Sequence, residues 1–521
     1  MMNEEKFRNR RKVRRQVFAR QRRGASIVVV LGLLSITLAA SYAMMHSHVT
    51  SERIQGHWQR RKLARQAAQA GLSLALSRMH QDSWEGVEKK IIGELSKNTR
   101  YEVTFATGDE RLRVEDEDYG EYPFRLTLTS TGSARSFRES AVMSTCEMTA
   151  VVQLKRTNLA TPSDGKVEQA WKELEPYSLY CRGRKRNYVY SPIRLEGNMW
   201  WAEGCLSMRF PRSSDARQRF FGDAHELATK SPVDRRPLFG SVTLTKRNQS
   251  RMQTEFRRCR IDVPVNKSEV KIDRLFSDFK VPRTYQLYRG GVEYTVPVVS
   301  RELKNEALEP DVMTNPLGLF AATGDVTVGD NVRIRGTLLQ SGRGHEIKLA
   351  GKNIEISAVE LPAVEETPCR RQLPVAVVEA VNLAIGSGGS ICGVAHVLDD
   401  FACAAGQGKM KWDIEGRLAT GDLQIKTKPT DLAGHIVWKD LLEAFGEEAE
   451  EEFSEGEFRN LVARYFPLWL EQRRQFDLEP ILTVRPKSTE VETHWPDWER
   501  PFYVSPPGKT GLRWAVVRWS E

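Results

Sequence analysis

Arg22-Arg23-Gly24-Ala25-Ser26-Ile27-Val28-Val29-Val30-Leu31-Gly32-Leu33-Leu34 opens the stretch on which the fold turns. The uncharged run continues through Leu38 to Met45, which is 21 residues counted from Ala25. At about 1.5 Å per residue a helix of that length spans roughly 31 Å, the thickness of a bilayer's hydrocarbon core. Backbone groups in lipid have no water to bond, so the run is expected to be helical. Ala25, Ile27, Val29, Leu31, Leu34, Leu38 and Met45 mark the expected membrane segment. Before it, residues 1–24 hold ten Lys or Arg against Glu4 and Glu5. Basic flanks stay on the cytoplasmic side, which puts the N-terminus inside and the rest of the chain outside.

Beyond the membrane the pattern stays helical. No proline occurs from Val49 to Met79, and Ile54, Trp58, Leu63, Ala67, Ala70 and Leu74 recur at three- to five-residue steps. That period predicts an amphipathic stem with one apolar stripe. Next, Gln81–Thr99 is expected to form a short helix through Trp84, Val87, Ile91, Ile92 and Leu95. The period then drops to two in Tyr101–Phe105, Arg111–Val114, Phe124–Leu128 and Ala150–Leu154, predicting an antiparallel meander. Turns are expected at Gly108-Asp109, Asp118-Tyr119-Gly120 and Thr131-Gly132-Ser133. The stem stripe covers the apolar face of that sheet.

Here a family resemblance enters. Arg23-Gly24-Ala25-Ser26-Ile27-Val28-Val29-Val30-Leu31, Glu52-Arg53, and Ala64-Arg65-Gln66-Ala67-Ala68-Gln69-Ala70-Gly71-Leu72 resemble the N-terminus of PilX-type minor pilins. They are also similar to the K-type minor pseudopilins of type II secretion. The resemblance covers residues 20–80 and, more weakly, the strands up to about 156. It implies cleavage by a prepilin peptidase between Gly24 and Ala25, methylation of the new amine, and packing against other pilin-like subunits. Its expected setting is the inner membrane, a pilus or a pseudopilus. The fifth position of the mature chain is Val29, where many major pilins carry Glu. A valine there cannot pair with a neighbour's terminal amine, which fits a minor, priming or tip subunit better than a repeating one.

The expected class is therefore α+β. A basic leader (1–24) precedes a transmembrane and stem helix (25–80) and a pilin-like meander (81–156). After a junction at Arg156–Pro176 comes a β-rich head (177–430) and then a small α/β cap (431–521). In the head, Ile193–Leu206 and Val326–Leu338 alternate apolar and polar residues between glycines seven apart, as at Gly329 and Gly336, and Ile347–Ile356 continues the style. Two arrangements fit: coils of a parallel β-helix, or an antiparallel domain with glycine turns. The Gly-punctuated coils of some large pilin-like surface proteins favour the first. The cap is expected to hold helices at Trp438–Phe445 and Phe458–Arg474, around seven acidic residues in Glu447–Glu457. Strands are expected at Ile481–Val484, Tyr503-Val504 and Trp514–Val517.

Composition narrows function. The chain of 521 residues carries +10, but the leader's surplus of eight accounts for most of it, leaving about +2. No nucleic-acid partner is expected of a nearly neutral exported part. Cys146, Cys181, Cys205, Cys259, Cys369, Cys392 and Cys403 all follow the span, so disulfides are chemically allowed, and the odd number leaves one without an intrachain partner. No C-x-x-C, H-E-x-x-H, G-x-S-x-G or phosphate loop occurs, and Gly386–Ser390 reads as a flexible turn. No catalytic residue, cofactor, metal or small-molecule ligand is assigned. Two alternatives stay open. One is a signal-anchored or secreted envelope protein cut after Ser41-Tyr42-Ala43, with a head that binds a surface or glycan. The other is an extracytoplasmic enzyme.

Overall fold

The structure, a computed structural model, describes residues 4–81, 83–135, 143–156, 174, 177–183, 186–189, 193–195, 198–201, 205–207, 242–244, 261–262, 281–340, 342–359, 376–403, 410–425, 479–486 and 512–520. One helix, α1, runs without a break over Glu4–Met79. It is followed by β1 (Ile91–Ser96), β2 (Thr99–Thr107), β3 (Arg125–Arg135) and β4 (Met143–Arg156). These pair antiparallel in chain order, and a fifth strand, Leu512–Ser520, closes the far edge against β4. The result is an N-terminal apolar helix on a β-rich body, an α+β arrangement.

Several local expectations are corrected. Residues 81–99 form turns and a strand rather than a helix. Trp84, Ile91 and Leu95 fit a helical period, but Gly86 adopts φ of 109° against the carbonyl of Arg289, and Ile91–Ser96 finds β2 across a hairpin. Arg111–Val114 lies in a loop whose Asp109 and Asp116 carboxylates accept the backbone N–H groups of Arg111 and Arg113 at 3.1 and 2.8 Å. Asp118-Tyr119-Gly120 belongs to a 3-10 helix, Glu117–Phe124. Thr131-Gly132-Ser133 is not a turn but the middle of β3, where Gly132 faces the backbone of α1.

In the head the described strands of the large sheet pair in parallel, which excludes an antiparallel arrangement for them, while Thr284–Gln286 and Glu293–Thr295 form a separate antiparallel hairpin. Leu319–Ala322 lies on Thr337–Gln340, and Val326–Val328 on Glu346–Leu349, which lies on Asn382–Ile385. Arg333–Arg335 lies on Ile354–Ser357, then on Gly388–Cys403 and on Lys411–Ile425. Alternate side chains, among them Val328, Ile334, Leu349, Ile356, Ile391 and Ile414, fill one interior. Parallel strands buried in this way gain from a long apolar column, since each coil covers its neighbours.

Turns between strands recur in register. Asn305, Asn331 and Asn353 each sit at φ of 52 to 57°, a left-handed conformation that Asn tolerates better than most residues. The amide of Asn331 donates to the side-chain oxygen of Asn305, and that of Asn353 to Asn331, both at 3.0 Å. Replacing Asn331 by Ala removes both rungs and strains the backbone. We expect a loss of roughly 1–2 kcal/mol in denaturant unfolding.

The expected C-terminal cap is also corrected. Leu482–Arg485 pairs with Lys411–Ile425 inside the coil stack, and Leu512–Ser520 belongs to the meander. The helices expected at Trp438–Phe445 and Phe458–Arg474, and Tyr503-Val504, lie outside the described residues. Lys411–Ile425 carries on its next coil Leu482–Arg485, Tyr177–Cys181 and Arg186–Val189 together. One coil is thus assembled from segments about 300 residues apart in sequence.

Asn187 fastens that composite coil. Its amide donates to the buried Asp422 carboxylate at 3.2 Å, and its side-chain oxygen accepts the N–H of Leu423. Asn187→Leu removes both of these bonds from the interior. It is expected to cost about 2–4 kcal/mol, read as an earlier urea midpoint, whereas exposed Lys348→Ala is expected to stay within about 0.5 kcal/mol.

Candidate functional site: the helix and its docking face

The two halves of α1 have different surroundings. From Ile27 through Met45 its side chains are exposed, and the segment is long and apolar enough to cross a membrane. The placed members of the expected set, Ile27, Val29, Leu31, Leu34, Leu38 and Met45, all lie on this exposed length. Gly24 and Ala25 fall inside the same continuous helix, just ahead of it. Exposed aliphatic surface on this scale has a large cost in water and requires lipid or other helices around it.

From Ala64 onward the helix is docked. Ala64, Ala67, Ala68, Gly71, Leu72, Ala75 and Met79 are buried, at three- and four-residue steps. This corrects the predicted stripe. Ile54, Trp58 and Leu63 are exposed, Ala70 and Leu74 half-buried, and only Ala67 is a fully buried member. The reason is separation. Small side chains let the helix backbone reach the sheet, and large ones at the same face would hold it off. A Cβ on Gly132 of β3 would overlap the carbonyl oxygen of Ala64, and one on Gly71 would crowd Ser130 and Tyr101. The sequence signal was present in the alanine and glycine spacing, but apolar periodicity weights bulk and pointed to the wrong face.

Two clasps hold the C-terminal strand to this unit. The N–H of Trp514 donates to Nε2 of His80 at 3.1 Å, and Nδ1 of His80 lies 2.8 Å from the carbonyl of Leu76. Asp109, almost completely buried, lies between two guanidiniums: Arg518 Nη2 at 2.7 Å and Arg125 Nη1 at 3.4 Å. Burial alone raises the carboxyl pKa. The Arg518 hydrogen bond, the Arg111 N–H and the two positive charges outweigh it, and the group is held below its ordinary value. Arg125 also pairs with Glu121.

The same core extends into the head. Trp84, Tyr288 and Trp514 meet edge to face, with Trp514 and Tyr288 centroids 5.4 Å apart. Leu317, Leu319 and Ala321 of the coil stack join that cluster with Tyr285, Leu287 and Val296. The Tyr285 hydroxyl donates to Asn315 at 2.9 Å and accepts from the N–H of Leu317 at 3.1 Å.

The cysteines do not converge among the described residues. Cys181 and Cys403 are buried thiols in the coil interior, and burial pushes the Cys403 thiol up to about 12. Cys146 lies on β4 and Cys392 on Gly388–Cys403, both half-buried. Cys259, Cys369 and the side chain of Cys205 lie outside the described residues. No group of three or more His, Cys, Asp or Glu is placed to hold a metal among the described residues. An open groove of about 310 Å³ lies on the composite coil, lined by Arg194, Lys411, Asp413, Glu479, Thr483 and Arg485. Arg485 bonds Asp413 there at 2.9 Å.

No protein-family profile matches the chain, and no curated protein does. Among solved structures it aligns with the competence-associated pilin ComZ from Thermus thermophilus, at 11% identity and a TM-score of 0.21. The alignment covers 89% of this chain and 97% of that one. So low a TM-score does not establish a shared fold.

Proposed function

We propose that the chain is a structural subunit of minor-pilin type. It is anchored in the inner membrane by Ile27–Met45, with the leader in the cytoplasm, and enters a pilus or pseudopilus through α1. A prepilin peptidase would cut between Gly24 and Ala25. The meander is the pilin-like unit, and the parallel coils form a β-solenoid head carried at or near the tip. The observation that carries this reading is the division of one unbroken helix. Its apolar half is fully exposed, while its alanine-rich end is sunk into an antiparallel sheet. A membrane anchor alone needs the first half only. A helix that leaves lipid and joins a bundle needs its head fixed rigidly to the second. The role is packing rather than catalysis.

The mature N-terminus, measured by mass spectrometry of protein from membranes, tests this. A chain beginning at Ala25, with a methylated amine, supports the pilin pathway. A start after Ala43 identifies a secreted protein and overturns the reading. An intact Met1 or Met2 favours a simple anchor with residues 46–80 as a stalk.

A further inference from the structure

Between the membrane run and the docked end, one side of the stem is exposed, and its chemistry is distinctive. Ile54, Trp58 and Arg61 follow one another at four- and three-residue steps, with Lys62 next to Arg61, so they share one side of α1. Trp58 is 68% exposed and Ile54 53%, and Arg61 and Lys62 are exposed as well. Lipid does not account for this stripe. Trp58 lies thirteen residues beyond Met45, about 20 Å along a helix, whereas the headgroup layer on each side of a bilayer is only about 5–7 Å deep.

A surface of matching character exists on the same chain. The loop between β2 and β3 carries Glu115, Asp116, Glu117 and Asp118 in succession, all exposed. Apolar groups flank them: Val114 is 71% exposed, and Met313, 57% exposed, accepts a contact from the Tyr119 hydroxyl at 3.5 Å. The stripe is basic, the loop is net acidic despite exposed Arg111 and Arg113, and both carry exposed apolar side chains. They cannot meet within one molecule. Gly132 of β3 packs against Ala64, and Arg125, at the loop end of that strand, is seven residues away, about 23 Å. The loop therefore stands well beyond Ala64, while Arg61 and Trp58 lie on the other side of it.

We infer that the Ile54–Lys62 stripe docks a second copy of this chain through that copy's 114–122 loop. The contact is head to tail: the stem of one copy lies beside the loop of the next. Such a heterologous contact joins neighbouring copies without closing into a two-fold dimer, and a short run of copies is compatible with a place at or near the tip. Opposite charges set the register, and Trp58 with Ile54 supplies the area removed from water. The inference uses the stem's position outside the membrane but needs no cleavage at Gly24. The mature N-terminus therefore reports on the pilin reading independently of it.

The test is self-association of the detergent-solubilised full chain, followed by sedimentation velocity. Two variants are needed: Arg61→Glu with Lys62→Glu, and Glu115→Lys with Glu117→Lys. Neither pair touches the buried core, and unchanged near-UV circular dichroism verifies folding. Each variant alone is expected to associate at least about tenfold more weakly than wild type, and wild-type association should weaken on going from roughly 0.05 to 0.5 M salt. An equimolar mixture of the two should recover association to within about threefold, because each reversed surface then faces its opposite. A monomeric wild type, variants that associate like wild type, or a mixture that stays dissociated would each overturn the proposal.

Discussion

Gly132→Val should separate the stem from the sheet and cost more than about 3 kcal/mol. The physical reason is the absence of any space: a Cβ at this position would overlap the Ala64 carbonyl oxygen and crowd the Ala68 N–H. Both are backbone atoms of a rigid helix, so neither can rotate away as a side-chain tip could. Overpacking typically costs about 1–3 kcal/mol where side chains can adjust, and more where they cannot. Displacing α1 also uncovers Leu72, Met79, Leu126 and Leu128, which share one buried cluster. The measurement is thermal and denaturant unfolding of the full chain, with limited proteolysis between residues 60 and 80. Gly120→Ala is the control. Its Cβ would meet nothing within 4 Å, so it should change stability by no more than about 0.5 kcal/mol. A Gly132→Val protein as stable as wild type would mean that the helix is not held at this distance.

Asp109→Ala is the second large effect. It leaves buried Arg125 with only Glu121 and Asp118 and half-buried Arg518 without Asp109, so the loss is expected at the low end of the about 3–5 kcal/mol of a broken buried pair. The loss should concentrate at the C-terminal strand, since Arg518 is on it and Asp109 is not. Early protease cleavage near residue 512, before the coil stack is attacked, would show this. The pH dependence has a definite sign. Asp109 is held below the ordinary carboxylate value in the folded protein. Its stabilisation is therefore complete above the unfolded pKa of about 3.9 and disappears as pH falls through the lower folded value. Wild type should lose stability in acid more steeply than Asp109→Asn, whose amide has no proton to gain there. Equal acid limbs would remove Asp109 from the account.

Sequence alone specified the helix from Ala25 onward, its apolar run and the two-residue period of the meander, because these depend on neighbours within a few residues; that α1 begins at Glu4 was not among them. Transfer of Ile27–Met45 out of water and the alternation in β3 are local sums. They need no knowledge of what else the chain builds. The alternation also located Ile193–Leu206, Val326–Leu338 and Ile347–Ile356, although it left parallel and antiparallel pairing open.

The remainder depends on contacts between segments distant in sequence. Which face of the stem is buried depends on how near the sheet comes, and that was set by Gly71, Gly132 and the alanines rather than by the bulkier Ile54, Trp58 and Leu63. Ile91–Ser96 became a strand because β2 lay within reach across a hairpin, a gain that its own helical spacing does not register. Adjacency in sequence suggests a single cap for the C-terminal segments. In the fold, Leu482–Arg485 completes a coil with Tyr177–Cys181, and Leu512–Ser520 completes the sheet that α1 covers. Backbone groups at an open edge take whichever strand the folded chain delivers to them, and no local pattern specifies which one that is.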